Sequence, residues 1–108
     1  MHVESISMDS IRAAVESAGS QWFSPTAMRF FRTRLPQSGL RDGRGRLWFV
    51  SSEASSRGVR RYNVRCFSIA DGSVSTHGDF QVHATRRAAT RAMHRAIAAS
   101  ADPRTKEQ

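Results

Sequence analysis

The run from His83 to Ser100 limits what this chain can fold into more than any other stretch. Wound at about 100° per residue, it separates into two faces. Ala88, Ala89, Ala92, Met93, Ala96 and Ile97 fill one half of the cylinder. Arg87, Arg91 and Arg95 recur every fourth residue on the other half, with His94 beside them. Alanine is the strongest helix former, and no Gly or Pro interrupts the run. The pattern predicts a helix over 84–99, with its apolar arc on the protein body and its arginines outside. At about 1.5 Å of rise per residue, the three guanidinium stems stand about 6 Å apart along the axis.

The chain before it supplies the layer this helix needs. Ser7 is a capping residue, Asp9 is the favoured charge for a first turn, and Ile11, Ala14, Val15 and Ala18 keep helical spacing up to Gly19. This predicts a first helix at 8–18, after a short lead-in at 1–7. Ser24-Pro25 is a second helix start. The spacing of Met28, Phe31 and Leu35 is helical, yet Phe31, Thr33 and Leu35 also alternate. The expectation is a one- to two-turn helix passing into a strand near Phe31–Leu35, and periodicity leaves helix against strand open there.

Residues 36–46 read as a loop. Arg46 to Ser52, with Leu47, Trp48, Phe49 and Val50 in sequence, has the content of a buried strand. From Arg60 to Ile69 the residues alternate, Tyr62, Val64 and Cys66 one way and Arg61, Asn63 and Arg65 the other. That alternation predicts a sheet with one buried and one polar face. Asp71-Gly72 is a hairpin signal, and Ser73–Val82 returns as the next strand. Residues 101–108 read as a frayed tail. The fold class predicted is α+β in a single small domain over 1–108. An antiparallel sheet of three to four strands carries the N-terminal and C-terminal helices on one face.

Charge bears most directly on function. The chain has 17 basic residues against 9 acidic ones, a net +8, and all but Lys106 of the basic residues are arginine. Such a balance favours an anionic partner, nucleic acid first among them. The arginines form four groups: Arg29, Arg32 and Arg34; Arg41, Arg44 and Arg46; Arg57, Arg60, Arg61 and Arg65; and Arg86, Arg87, Arg91 and Arg95. The residues expected to contact nucleic acid, RNA or DNA, are Arg86, Arg87, Arg91 and Arg95, helped by Arg60, Arg61 and Arg65.

Little in the sequence points to catalysis. The histidines at 2, 77, 83 and 94 are scattered, without the spacing of a metal site. His77 and Asp79 would share one face of a strand, which reads as surface near a turn. A lone Cys66 excludes an internal disulfide and any cysteine-rich zinc site, and in mid-strand it reads as a buried, inert thiol. Gly43-Arg44-Gly45 lacks the Lys-Ser/Thr element of a phosphate loop. The expectation is no enzyme, no metal and no cofactor. No apolar run approaches a membrane span, and the N-terminus lacks the pattern of a secretory signal, so the expected location is the cytoplasm without membrane contact.

Two resemblances add to this. The order of elements from Leu47 to Ser100 is similar to the strand-strand-strand-helix part of a double-stranded-RNA-binding domain, with the first helix as partner of the last. Thr85-Arg86-Arg87 stands where that module's last helix meets phosphate. The Gly-Pro-His loop of that module is missing, Thr90 replaces the third lysine of its helix motif, and the segment Trp22–Leu35 is additional, so the likeness is one of architecture. Phe23-Ser-Pro-Thr-Ala-Met-Arg-Phe-Phe-Arg-Thr-Arg34, Trp48-Phe-Val-Ser-Ser-Glu53, Arg60-Arg-Tyr-Asn-Val-Arg65 and Gly78-Asp-Phe-Gln81 together resemble a family of small uncharacterised proteins of phages and mobile elements. That resemblance implies a setting in which such proteins act on nucleic acid or dock on a host complex that handles it. The alternative function is therefore a protein-interaction module that inhibits or redirects a host complex, one of phage defence included.

Overall fold

A computed structural model of the chain describes residues 3–54 and 57–101. Its elements are β1 (Glu4–Ser7), α1 (Met8–Ser17), α2 (Pro25–Phe30), β2 (Ser38–Arg41), β3 (Leu47–Ala54), β4 (Arg60–Ser68), β5 (Ser73–His77) and α3 (Arg86–Ala101). The fold is α+β, as expected. The strands form one antiparallel sheet in the order β1-β2-β3-β4-β5, so each strand pairs with its neighbours in the chain.

The sheet has five strands rather than three to four, because the lead-in and part of the predicted loop pair with each other. Glu4 to Ser7 lie opposite Arg41 to Ser38, and an Arg41–Glu4 ion pair closes the register at 2.6 Å. Neither four-residue stretch alternates in a readable way. Gly39 is what lets the layers close here. A Cβ on it would stand 2.1 Å from the Trp48 carbonyl oxygen and 2.8 Å from the Ile11 side chain. Any larger residue would collide with the β3 backbone and disturb the pairing of β2 with β3.

Capping chemistry sets the helix starts. The Ser7 hydroxyl accepts from the Ser10 N–H at 3.2 Å, and the Ser24 hydroxyl from the Ala27 N–H at the same distance. After Pro25–Phe30 the chain turns through Arg32, whose φ is +50°. Of the strand expected at Phe31–Leu35, only an isolated bridge between Arg34 and Ser52 forms. The helix reading prevails because Arg32 breaks the extended run.

The two long helices lie on opposite faces of the sheet, not on one. Alternation along β3 makes this plain. Leu47 and Phe49 join Met8, Ile11, Val15, Phe23 and Phe67 in one core. Trp48 and Val50 join Val64, Ala89, Met93 and Ile97 in another. Val15 and Met93 are both buried, on different sides of the sheet. The partnership of first and last helix implied by the RNA-binding-domain resemblance does not form. With both faces covered, seven successive residues of β3 are buried.

The supposed polar face of the sheet is therefore interior. Tyr62, Val64 and Cys66 do point one way, toward α3, with Cys66 only half-buried. Burial raises the Cys66 thiol to about 11, with Asp42 and Asp71 adding to the rise and Arg46 opposing it. Asn63 and Arg65 point toward α1 and α2, where they are 1% and 7% exposed. There they surround Glu53, itself 1% exposed. Its carboxylate accepts from Asn63 Nδ2, from Ser51 Oγ at 3.0 Å, from Thr33 Oγ1 at 3.2 Å and from the Arg65 guanidinium at 3.1 Å. Arg65 also donates to the Ser51 and Thr76 hydroxyls. Polar residues are tolerated inside when each is paired in this way, and that is why an alternation of Arg and Asn does not mark a wet face here.

β5 ends at His77 rather than Val82, because Gly78 turns the chain with φ +82°. His77 and Asp79 consequently do not share a strand face. Gln81, at φ +60°, is pinned by its N–H donating to Asn63 Oδ1 and by its carbonyl accepting from Arg61 Nε. The expected tail, 101–108, lies outside the described residues apart from the backbone of Ala101.

Candidate nucleic-acid interface

Thr85 begins α3. Its hydroxyl accepts from the Ala88 N–H at 3.1 Å and its carbonyl from the Ala89 N–H at 3.2 Å. Ala89, Met93 and Ile97, spaced by four, are buried against Trp48, Val50 and Val64. Arg86, Arg87, Arg91 and Arg95 are all exposed. No Asp or Glu occurs between Arg86 and Ala101, and among the described residues none of these four side chains has a salt bridge or hydrogen bond. Two cations in the first turn also oppose the helix dipole, whose positive end lies there. An anion from outside would relieve both features.

The other three arginines expected at the site are occupied inside the protein. Arg60 donates to the Ser52 carbonyl at 3.0 Å, to the Ser52 hydroxyl at 2.8 Å and to the Arg32 carbonyl at 3.0 Å. Arg61 holds the Gln81 and Val82 carbonyls at 3.1 and 3.2 Å. Arg65 is paired with Glu53. These three fix strands and loops, and they do not converge with α3.

What does converge with α3 is a groove along β5. An open cleft of about 370 Å³ lies between the alanine flank of the helix (Ala92, Ala96, Ala99), Arg95, and the His77–His83 segment. It meets a second cleft of about 530 Å³, because His77 and Gly78 line both. Arg44 and Arg46 form the far wall of the second cleft, over Trp48 and Cys66. His77 packs edge-on to Trp48, ring centres 5.6 Å apart. The small side chains of the helix flank leave the groove shallow and open.

Arg46 ties the groove together. It donates to Asp42 Oδ2 at 2.9 Å and to the Ser100 hydroxyl of α3 at 2.6 Å, with its guanidinium 5.6 Å from the Trp48 ring centre. Asp42 also accepts from the Arg44 and Arg46 N–H groups and from Trp48 Nε1, each at 2.9 Å. Burial pushes this carboxyl up, but the Trp48 and backbone hydrogen bonds, with the Arg46 charge, outweigh it and hold the acid below its ordinary value. Asp42 is thereby an anchor rather than a base. Arg44 leaves its side chain exposed at the rim.

Sequence reasoning placed Arg41, Arg44 and Arg46 apart from α3. Arg44 and Arg46 in fact share its groove, while Arg41 pairs with Glu4 at the sheet edge. His77 and His83 carried no signal, since their approach to α3 depends on the turn at Gly78. Among the described residues no three His, Cys, Asp or Glu side chains cluster as metal ligands, and no helix is long and apolar enough to cross a membrane.

One family model matches residues 7–94, from the α1 cap through most of α3. The chain belongs to this family, described as a Family of unknown function (DUF7447). The match spans α1, α2, β2 to β5 and the arginines at 86, 87 and 91. No curated protein and no solved structure matches the chain.

Proposed function

We propose that this protein binds nucleic acid, RNA or DNA, mainly through its phosphates, along the exposed side of α3 and the adjoining groove. The observation that carries the reading is the set Arg86, Arg87, Arg91 and Arg95: four exposed cations on one rigid element, with no acid in the helix and, among the described residues, no internal partner. Arg44 extends the positive surface, and the alanine flank lets a sugar-phosphate backbone approach closely. The reading is of a binding protein and not an enzyme, since the buried carboxylates Glu53 and Asp42 are saturated by donors. The sequence resemblance implies a phage or mobile-element setting, and the composition a cytoplasmic one.

The test is the salt dependence of affinity. Three to four engaged arginines give a slope of log K against log salt of about −3 on duplex DNA, at about 0.9 per phosphate neutralised. Changing Arg87, Arg91 and Arg95 together to Gln is expected to flatten most of that slope. The matched control removes the same charge from Arg29, Arg32 and Arg34, which lie with α2 on the other side of the sheet. Equal losses from the two triples mean that a diffuse net charge is being felt, and overturn the site.

A further inference from the structure

The sheet face opposite α3 carries a pocket of about 220 Å³ that the nucleic-acid reading does not use. Trp22, Met28, Phe31 and Phe80 wall it, and the Glu53–Arg65 pair forms its floor. The Arg65 guanidinium is held between two of the walls, 5.2 Å from the Trp22 ring centre and 5.6 Å from that of Phe80. The rim is apolar and open to solvent: Phe31 is 46% exposed, Phe80 52%, and Phe30, packed on Phe31, 77%. Exposed aromatics around a preformed hollow are the usual form of a contact surface.

The floor decides what kind of group enters. Every polar side-chain atom buried there already has a hydrogen-bond partner. The polar groups of the floor already engage one another, so a nucleobase edge gains little there. An apolar side chain needs none, and the volume suits one bulky residue. The residues next in sequence to the lining decide what surrounds that residue. Arg29, Arg32 and Arg34 each directly follow a pocket-lining residue, namely Met28, Phe31 and Thr33. All three are exposed, and among the described residues their side chains have no salt bridge or hydrogen bond. Asp79, beside Phe80, is the one acid adjoining the lining residues in sequence.

We infer that this pocket docks an acidic segment of a partner protein, with one bulky apolar side chain seated between Trp22, Met28, Phe31 and Phe80 and flanking carboxylates on Arg29, Arg32 and Arg34. The site is separate from the α3 groove and stands whether or not the groove binds nucleic acid.

The probe is a fluorescent nine-residue peptide with a central Leu among Glu and Asp, compared with the same peptide carrying Lys in place of the acids. Anisotropy is expected to give at least tenfold tighter binding of the acidic peptide at low salt. Ala27→Phe, which fills the pocket from α2, should weaken it at least tenfold. Arg29, Arg32 and Arg34 changed together to Gln should weaken it similarly and remove its salt dependence. The α3 triple should leave it unchanged. In wild-type protein with labelled methionine methyl groups, the peptide should shift the Met28 signal and leave Met93 in place, which keeps the test independent of variant folding. Equal binding of the two peptides, or an unmoved Met28, overturns the proposal. So does a single-stranded oligonucleotide that shifts Met28 in the peptide's stead, or self-association of the chain that Ala27→Phe abolishes.

Discussion

Arginines on β4 and arginines on α3 look alike in the sequence and meet opposite fates. Arg65 is buried on Glu53, and the half-buried Arg61 spends its donors on the Gln81 and Val82 carbonyls. Arg87, Arg91 and Arg95 stay outside, with no salt bridge or side-chain hydrogen bond among the described residues. The difference lies in what each kind of element can hide. One side of a surface helix always faces water, so cations on its polar arc are exposed by geometry. A strand presents two sides, and whether the second is wet depends on what packs there. Here α1, α2 and the Gln81 loop cover it, and a buried carboxylate supplies the countercharge.

The sharpest way to break that contrast is to remove the countercharge. Glu53→Gln leaves Arg65 buried and uncompensated, and is expected to cost about 3–5 kcal/mol in urea unfolding. Replacing both partners, Glu53→Leu with Arg65→Met, should recover only part of the loss, because it removes the uncompensated charge but leaves the buried Asn63 and Ser51 donors without their acceptor. A single change no more costly than Arg91→Gln would show that the pair is not truly interior.

A middling effect belongs to Asp42, which is buried yet bonded to residues of the groove. Asp42→Asn should destabilise by about 1–3 kcal/mol near neutrality. The folded carboxyl titrates below its ordinary value. Its contribution is therefore fully present above the unfolded pKa of about 3.9 and is lost as pH falls through the lower folded value. Urea midpoints of wild type and variant should converge in that acid range and separate above it. Smallest of all is Arg91→Gln, expected to change stability by no more than about 0.5 kcal/mol, since Gln keeps helix propensity and the face is solvated.

Much of the fold was legible where one residue's local chemistry decides. The Ser7 and Ser24 caps, Pro25, the Asp71-Gly72 turn and the apolar stripe of α3 all do what their types dictate. The unbroken run Leu47-Trp-Phe-Val50 also signalled a strand covered on both sides, against the half-wet sheet inferred from β4. Lost to sequence reading were features that exist only through distant partners. β1 and β2 are strands because they find each other across α1 and α2, 37 residues apart at Glu4 and Arg41. The arginines of the candidate interface on α3 were legible. The contribution of Arg44, Arg46 and His77 was not, because a groove is made by elements meeting.

The simple strand order has a consequence for how the molecule comes into being. From β2 to β5 each pairing joins neighbours in the chain, which keeps loop-closure costs low and lets the hairpins zip in succession. α3 follows all five strands in the chain and packs on Trp48, Val50 and Val64, residues of the two strands at the middle of the sequence of pairings. Without α3 one side of the sheet would be bare, and the docking of the arginine-bearing helix both covers it and brings the groove into existence.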